Sequence, residues 1–423
     1  MIQNNDMEQL SKDLAPLCDN LTNAVSALSS NHGSRASVIS AAQAIIHAAQ
    51  GPQDLYVHFV VNKCEIIVMR LFLKWEVFQE IPPQGSISFT DLAAKIDAEV
   101  GLVARLSRML IASGMLSSPG PDRVAHTHRS RMIAEDPLFR STAKLILYED
   151  FPQAAGTPEY FASRGRREPT DRTDTAFHFR RGEQPGRRSA FDLINEDPAL
   201  LKIIMEAMVR TQDFLASPGY DFSWLVSPTS TSSEKAGDGD DGDGGDEGRT
   251  LLVDVGGGAG HTIREILQRT PELAAERCVL QDTREVIERA KRQVAEAEGP
   301  AALLRGVRMM EVDFHAEQPV KGAKAYLIRR CLHNYSDGES VGILRQIREA
   351  MASDSTLLVM EMVLLPESPP FCYAMDMAMM GIAGKERTLE DWRAIAAEAG
   401  LRINRVVPAP GIGVSVIECV KEA

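Results

Sequence analysis

Residues 251–267, LLVDVGGGAGHTIREIL, run from an apolar strand through a glycine-rich turn into an amphipathic helix. Glycine lets the backbone reverse sharply there and lets a ligand approach with no Cβ in the way. The alternation continues downstream. RCVLQD, VRMMEVDF, AYLIRRC and STLLVMEMVLL are apolar runs separated by helical or loop sequence, and LRINRVVPAPGIGVSVIECVKEA reads as two strands joined by a Pro/Gly turn. The pattern predicts an α/β domain over 250–423: a Rossmann-like, doubly wound parallel sheet closed by an antiparallel hairpin.

Gly256, Gly258 and Gly260 give G-x-G-x-G, but His261 stands where the dinucleotide fingerprint needs glycine. No Gly-Lys-Ser/Thr follows, so the turn is not a P-loop. Asp254, Asp282 and Asp313 close the first three strands and are expected to project into one crevice. Asp282 is placed to accept both hydroxyls of a ribose, and Asp313 with Phe314 to hold an adenine. Three acids repel a pyrophosphate and welcome a cation, which favours S-adenosylmethionine. An NAD site, which also uses an acid after the second strand, is the alternative.

The 423 residues are long for one domain. Residues 1–225 read as mostly helical and 226–249 as a linker, with 250–423 following. FTDLAAKIDAEVGLVARLSRMLIASGML holds two short helices, the first expected to be capped by Thr90 with Asp91 behind it, and SSPGPDRVAHTHRSRMI suggests a hairpin. That order is a winged-helix pattern, either DNA-binding or a dimerisation module. Basic residues in 86–132 (Lys95, Arg105, Arg108, Arg123, Arg129, Arg131) barely outnumber the acids, and the net charge is −13, so nucleic acid and anionic membranes are poor partners.

Residues 233–248 carry seven acids against one lysine. An EF-hand count from Asp238 reaches Gly242 at position five and Arg249 at position twelve, so a mobile acidic linker is the better reading. Cys18, Cys64, Cys278, Cys331, Cys372 and Cys419 show no metal-ligand spacing, and no metal is expected. The first residues lack a basic-then-apolar leader pattern, and IIVMRLFLKWEVF at 66–78 is too short and charged to span a bilayer. A reduced, cytosolic protein is expected.

His333 stands two residues past the strand AYLIRRC, at its carboxyl end. An imidazole titrates near neutrality and can take a phenol's proton as the oxygen attacks a methyl group, although a histidine at a strand end is commonly structural. LVDVGGGAG, LQD, VDF, RRCLHNYSD, MEMVLLPE and GKERTLEDW together resemble, in order, the motifs of the caffeate-type plant and fungal O-methyltransferases. Residues 86–132 resemble that family's dimerisation domain. The resemblance implies a class I methyltransferase sheet, His333 as general base, and Glu361 and Glu386 as the carboxylates that orient it. It implies cofactor contacts at Gly256, Asp282, Asp313 and Phe314, with Arg329 in the place of a family lysine. It also implies a homodimer, for which the apolar helix 56–78 bearing Trp75 is a reasonable interface. Candidate acceptor-pocket walls are Phe177, Met205, Met208, Met375 and Met379.

The family usually has His-Asp-Trp where this chain has His333-Asn334-Tyr335, a departure that bears on the acceptor. The linker style and LQDTREVIERA are most similar to fungal secondary-metabolite enzymes, which suggests a polyketide-like phenolic or enolic acceptor. Two other readings stay open. One is an enzyme that holds the cofactor without transferring its methyl, guiding dehydration or pericyclic steps. The other is a winged-helix regulator that senses a metabolite.

Overall fold

A computed structural model describes residues 4–29, 35–214, 219–227, 248–408 and 413–422. The linker expected over 226–249 lies, for residues 228–247, outside the described residues. The chain divides into two compact units, Met1–Glu149 and Asp150–Ala423. Residues 150–225 thus group with the sheet and not, as expected, with the N-terminal helices. The reason is packing. Tyr220, Phe222 and Leu225 share one apolar cluster with Leu252, Leu280 and Leu358, and the Tyr220 hydroxyl donates to Glu418 at 2.5 Å.

In the first unit three long helices (Asn4–Ser29, Arg35–Ala49, Pro52–Lys74) precede a small fold of short helices and a three-stranded sheet. Its parts are β1 (Ile87–Ser88), the helices Phe89–Lys95 and Val100–Ala112, β2 (Leu116–Ser117) and β3 (Arg123–His126), with sheet order β1-β3-β2 and both pairs antiparallel. The first helix is capped by Ser88, not Thr90. Ser88 Oγ accepts from the Asp91 N–H at 3.0 Å and donates to Asp91 Oδ2 at 2.7 Å. The strand's last residue serves as cap because Phe89 already begins the helix and buries its ring. Trp75 packs against this core. The exposed apolar residues of the long helix lie earlier, at Leu55, Tyr56, Val57, Phe59, Val61 and Ile67.

The main sheet of the second unit is built from β4 (Leu252–Val255), β5 (Cys278–Asp282), β6 (Arg308–Glu311), β7 (Ala325–Arg329), β8 (Thr356–Glu361), β11 (Leu401–Val407) and β12 (Ser415–Lys421). Their order is β11-β12-β8-β7-β4-β5-β6, with the first two pairings antiparallel and the rest parallel. Short β9 (Val363–Leu364) and β10 (Arg387–Thr388) pair separately, in parallel. The central strands are apolar because helices cover both faces, and two clusters form the core on either side. The winding direction reverses between β4 and β7. That switch point opens a crevice at the carboxyl ends of the strands.

Candidate functional site

Two constructions flank the switch point. The first is the glycine turn after β4. Gly256, Gly258 and Gly260 have φ of +68°, +60° and +78°, the left-handed region where a Cβ is strained. At Gly256 and at its neighbour Gly257, space forbids a side chain as well. A Cβ on Gly256 would stand 2.8 Å from Cys331 Sγ, and one on Gly257 2.5 Å from Asp254 Oδ2.

Asp282, at the end of β5, ties this turn to the next one. Its Oδ2 accepts from the Gly258 N–H at 2.9 Å and its Oδ1 from the Thr283 N–H at 2.8 Å. Burial raises its pKa, opposed by those amides. Beside it lies a cleft of about 540 Å3 lined by Asp282, Thr283, Asp313, Phe314, His315, Tyr335 and Arg172, among others. Asp313 sits two residues past β6 and accepts from the His315 N–H at 2.9 Å. The rings of Phe314 and Tyr335 meet edge to face at 5.8 Å, and Arg172 caps the Tyr335 ring at 4.8 Å.

Asp254 does not line this cleft. The period-two alternation sends it, with Leu252, to the face covered by the helix His261–Arg269, where it is fully buried. Neither of its oxygens has a hydrogen-bond partner, and burial pushes the carboxyl up to about 7 against the pull of Arg329. Arg329 sits beneath the turn too, donating to Thr262 Oγ1 at 3.3 Å.

The second construction is the turn after β7. Arg330 has φ +51°, and the bend points two backbone amides inward. The Cys331 and Leu332 N–H groups both donate to Glu361 Oε1 at 2.9 Å. His333 follows in a short helical turn (Leu332–Asn334), with Nδ1 3.0 Å from Glu386 Oε1. Arg330 Nη1 donates to that same oxygen at 2.8 Å. Glu361, Glu386 and His333 are all buried. Burial raises Glu361 above its usual range; it would raise Glu386 as well, but His333 and Arg330 hold that carboxyl down at about 2. Ligand atoms of the three lie within 4.8 Å of one another, near enough to grip a cation. The Arg330 guanidinium is that cation.

Three residues that hold this turn are missed from the sequence. Arg387, fully buried, donates to the carbonyls of Leu332 at 3.0 Å and Tyr335 at 2.8 Å and to Asp337 at 2.7 Å, spanning both ends of the His333 turn. Gly384 lies against it, and a Cβ there would stand 2.3 Å from the His333 carbonyl oxygen. Arg330 is the third. Both 384 and 387 belong to GKERT, yet only Glu386 offers an evident chemical role from sequence.

The candidate pocket residues are not gathered into one wall. Phe177 is buried beside Ile204 and Ile382. Met205 Sδ accepts from Arg289 at 3.8 Å, Met208 is exposed, and Met375 packs on the sheet's apolar cluster. Met379 gives its carbonyl to the Gly384 N–H. A separate cavity of about 450 Å3 is lined by Phe161, Arg166, Arg167, Glu168, Asp376, Met380 and Gly384. Asp376 Oδ1 accepts from the Glu386 N–H at 2.9 Å, so this cavity adjoins the His333 cluster.

With the geometry in place, comparison with known proteins decides the family. An O-methyltransferase domain model matches residues 247–402. Methyltransferase cfoD of Aspergillus candidus is 32% identical over 421 residues, covering 97% of this chain and 99% of that protein. The chain belongs to the O-methyltransferase family. It is an S-adenosylmethionine-dependent enzyme. Among solved structures, OxaC in complex with SAH and oxaline superposes with a TM-score of 0.80 at 20% identity, covering 98% of this chain and all of that one. LepI in complex with SAM superposes at 0.77 and 20%, covering 97% and 100%. At such identities the likeness speaks to fold.

The cleft suits an O-methyltransferase's cofactor. Asp282 commits one lone pair of each oxygen to backbone amides and keeps the others for a diol. Phe314 and Tyr335 offer aromatic walls to a base. Among the described residues, no helix is long and apolar enough to cross a membrane.

Proposed function

We propose that this O-methyltransferase methylates a phenolic or enolic hydroxyl of a polyketide-like secondary metabolite, with His333 as general base. The observation that carries the reading is the 3.0 Å contact between His333 Nδ1 and the ionised Glu386. A carboxylate accepts but cannot donate, so Nδ1 donates to it, and in the neutral ring Nε2 is the nitrogen that takes the acceptor hydroxyl's proton. Glu361 fixes the backbone of the turn and Glu386 the ring.

S-adenosylmethionine, when bound, supplies an electrophilic methyl carbon on its sulfonium. The chain's own side chains align the acceptor oxygen and remove its proton. Asp282 would take the ribose hydroxyls, and Asp313 and Phe314 the adenine, with Gly256 and Gly258 allowing close approach. Asp254 and Arg329 would support the turn from beneath. The acceptor would lie toward the helix Pro370–Met380, where Met375 and Met379 stand; Phe177, Met205 and Met208 would serve a larger acceptor.

The exposed apolar face at Leu55–Ile67 supports a homodimer, since such a patch on a long helix is a liability unless covered. Six unpaired cysteines fit a reducing, cytosolic setting.

The test is to express the protein in a host that makes the neighbouring pathway's metabolites and compare extracts by mass. A product one methyl heavier supports the reading and identifies the acceptor. A product of unchanged mass, or one lighter by water, would instead favour the non-methylating reading, with the sulfonium as a fixed charge.

A further inference from the structure

Arg330 lies in the His333 cluster and takes no part in the reaction as proposed. It follows β7 directly and adopts a left-handed backbone, φ +51°, to reach its place. Its Nη1 donates to Glu386 Oε1, the very oxygen that faces His333 Nδ1, and lies 3.7 Å from Glu361 Oε2. The second oxygens of Glu386 and Glu361 have no hydrogen-bond partner. Two donors therefore crowd one oxygen where a free one was available. Geometry of this kind does more than neutralise a buried acid.

We propose that Arg330 sets the strength of the base: by sharing Glu386 Oε1 it draws negative charge away from His333, so the imidazole suits an acceptor hydroxyl that is already acidic, a phenol or enol and not an alkanol. The inference rests on His333 being the base. With Arg330 present, the imidazole faces an ion pair of no net charge. Without it, the imidazole would face a full, buried carboxylate at 3.0 Å, which favours imidazolium strongly.

The other charged groups nearby are committed elsewhere. Glu361 Oε1 holds two amides. Arg387 is paired with Asp337, Asp376 takes the Glu386 N–H, and Lys385 faces Asp337, Asp391 and Glu168. The Cys331 thiol is pushed up by burial and stays neutral. None of them replaces Arg330 on Glu386.

The experiment is a pH titration of the histidine side chains by NMR on the full chain, carbon-13 labelled at histidine and saturated with S-adenosylhomocysteine. His333→Gln identifies the His333 signal among nine. The expected result is an Arg330→Met midpoint higher than wild type by about tenfold in proton affinity, with Arg330→Lys within about threefold of wild type. A midpoint in Arg330→Met that stays put or falls overturns the proposal and leaves Arg330 a structural neutraliser. Should Arg330→Met not fold, Arg330→Gln carries the same expectation. The titration needs no acceptor, so an unmoved midpoint and an absent methylated product are separate failures.

Discussion

The two sides of the switch point are built on opposite principles. The side proposed for the cofactor is made of backbone: positive-φ glycines, amides donated to Asp282, and residues that lie at the ends of adjacent strands. The side proposed for the base is made of buried charge, and its partners stand between 29 and 56 positions apart in the chain. A backbone site fails by steric intrusion and loses ligand. A charge cluster fails when one partner is removed, because the others are left buried and unpaired.

A pair of glycine variants tests that contrast most sharply. Gly384→Ala drives a Cβ to 2.3 Å from the His333 carbonyl. We expect turnover to fall about a hundredfold while calorimetry still finds S-adenosylhomocysteine bound at near wild-type affinity. Gly257→Ala drives a Cβ to 2.5 Å from Asp254 and Leu280, and here affinity should fall first, with about 1–3 kcal/mol of stability lost to overpacking. Equal loss of affinity in both variants would erase the distinction.

Glu386→Gln comes next in size. It strips the charge from under His333 and leaves the half-buried Arg330 with only its longer, 3.7 Å pairing to Glu361. Removing one member of a buried pair costs about 3–5 kcal/mol, which denaturant melts would report alongside a lower rate. If stability holds while only the rate falls, the cluster is less tightly coupled than its distances indicate.

The last test is a pH slope. The Asp254 carboxyl is raised to about 7 in the folded protein from an ordinary 3.8. The folded state therefore binds more protons, and stability present below the lower value is lost as pH rises through the upper one. The group's full shift amounts to on the order of 4 kcal/mol. Asp254→Asn should flatten the decline in melting temperature between pH 5 and 8; an unchanged slope would mean that Arg329 already keeps the carboxylate ionised.

The contrast also explains what the sequence disclosed. The parallel strands, the closing hairpin and the helix, helix, hairpin order of the first unit were legible because each element writes its own periodicity. Asp282 and Phe314 were legible because a strand end is a local feature. Asp254 was misplaced for a local reason as well: one residue of strand register decides between crevice and core. Ser88 was passed over as a cap because the strand leads into the helix with no loop between them. The boundary at Glu149–Asp150 was hidden because packing by Tyr220, Phe222 and Leu225, not composition, decides it.

The base cluster was legible only through the family's motifs, which supplied His333, Glu361 and Glu386. Arg330, Gly384 and Arg387 stayed hidden within those motifs. An arginine after a strand and a glycine in a loop are ordinary until β8 and the 384–387 stretch are brought beside them.

The most direct measurement compares wild type with His333→Ala for two quantities at once: methyl transfer to the identified acceptor and binding of S-adenosylhomocysteine. The account predicts transfer lower by about a hundredfold or more, with binding nearly unchanged because His333 lines no part of the cofactor cleft. Transfer that survives, or affinity that falls together with it, would contradict the assignment of His333 as the base.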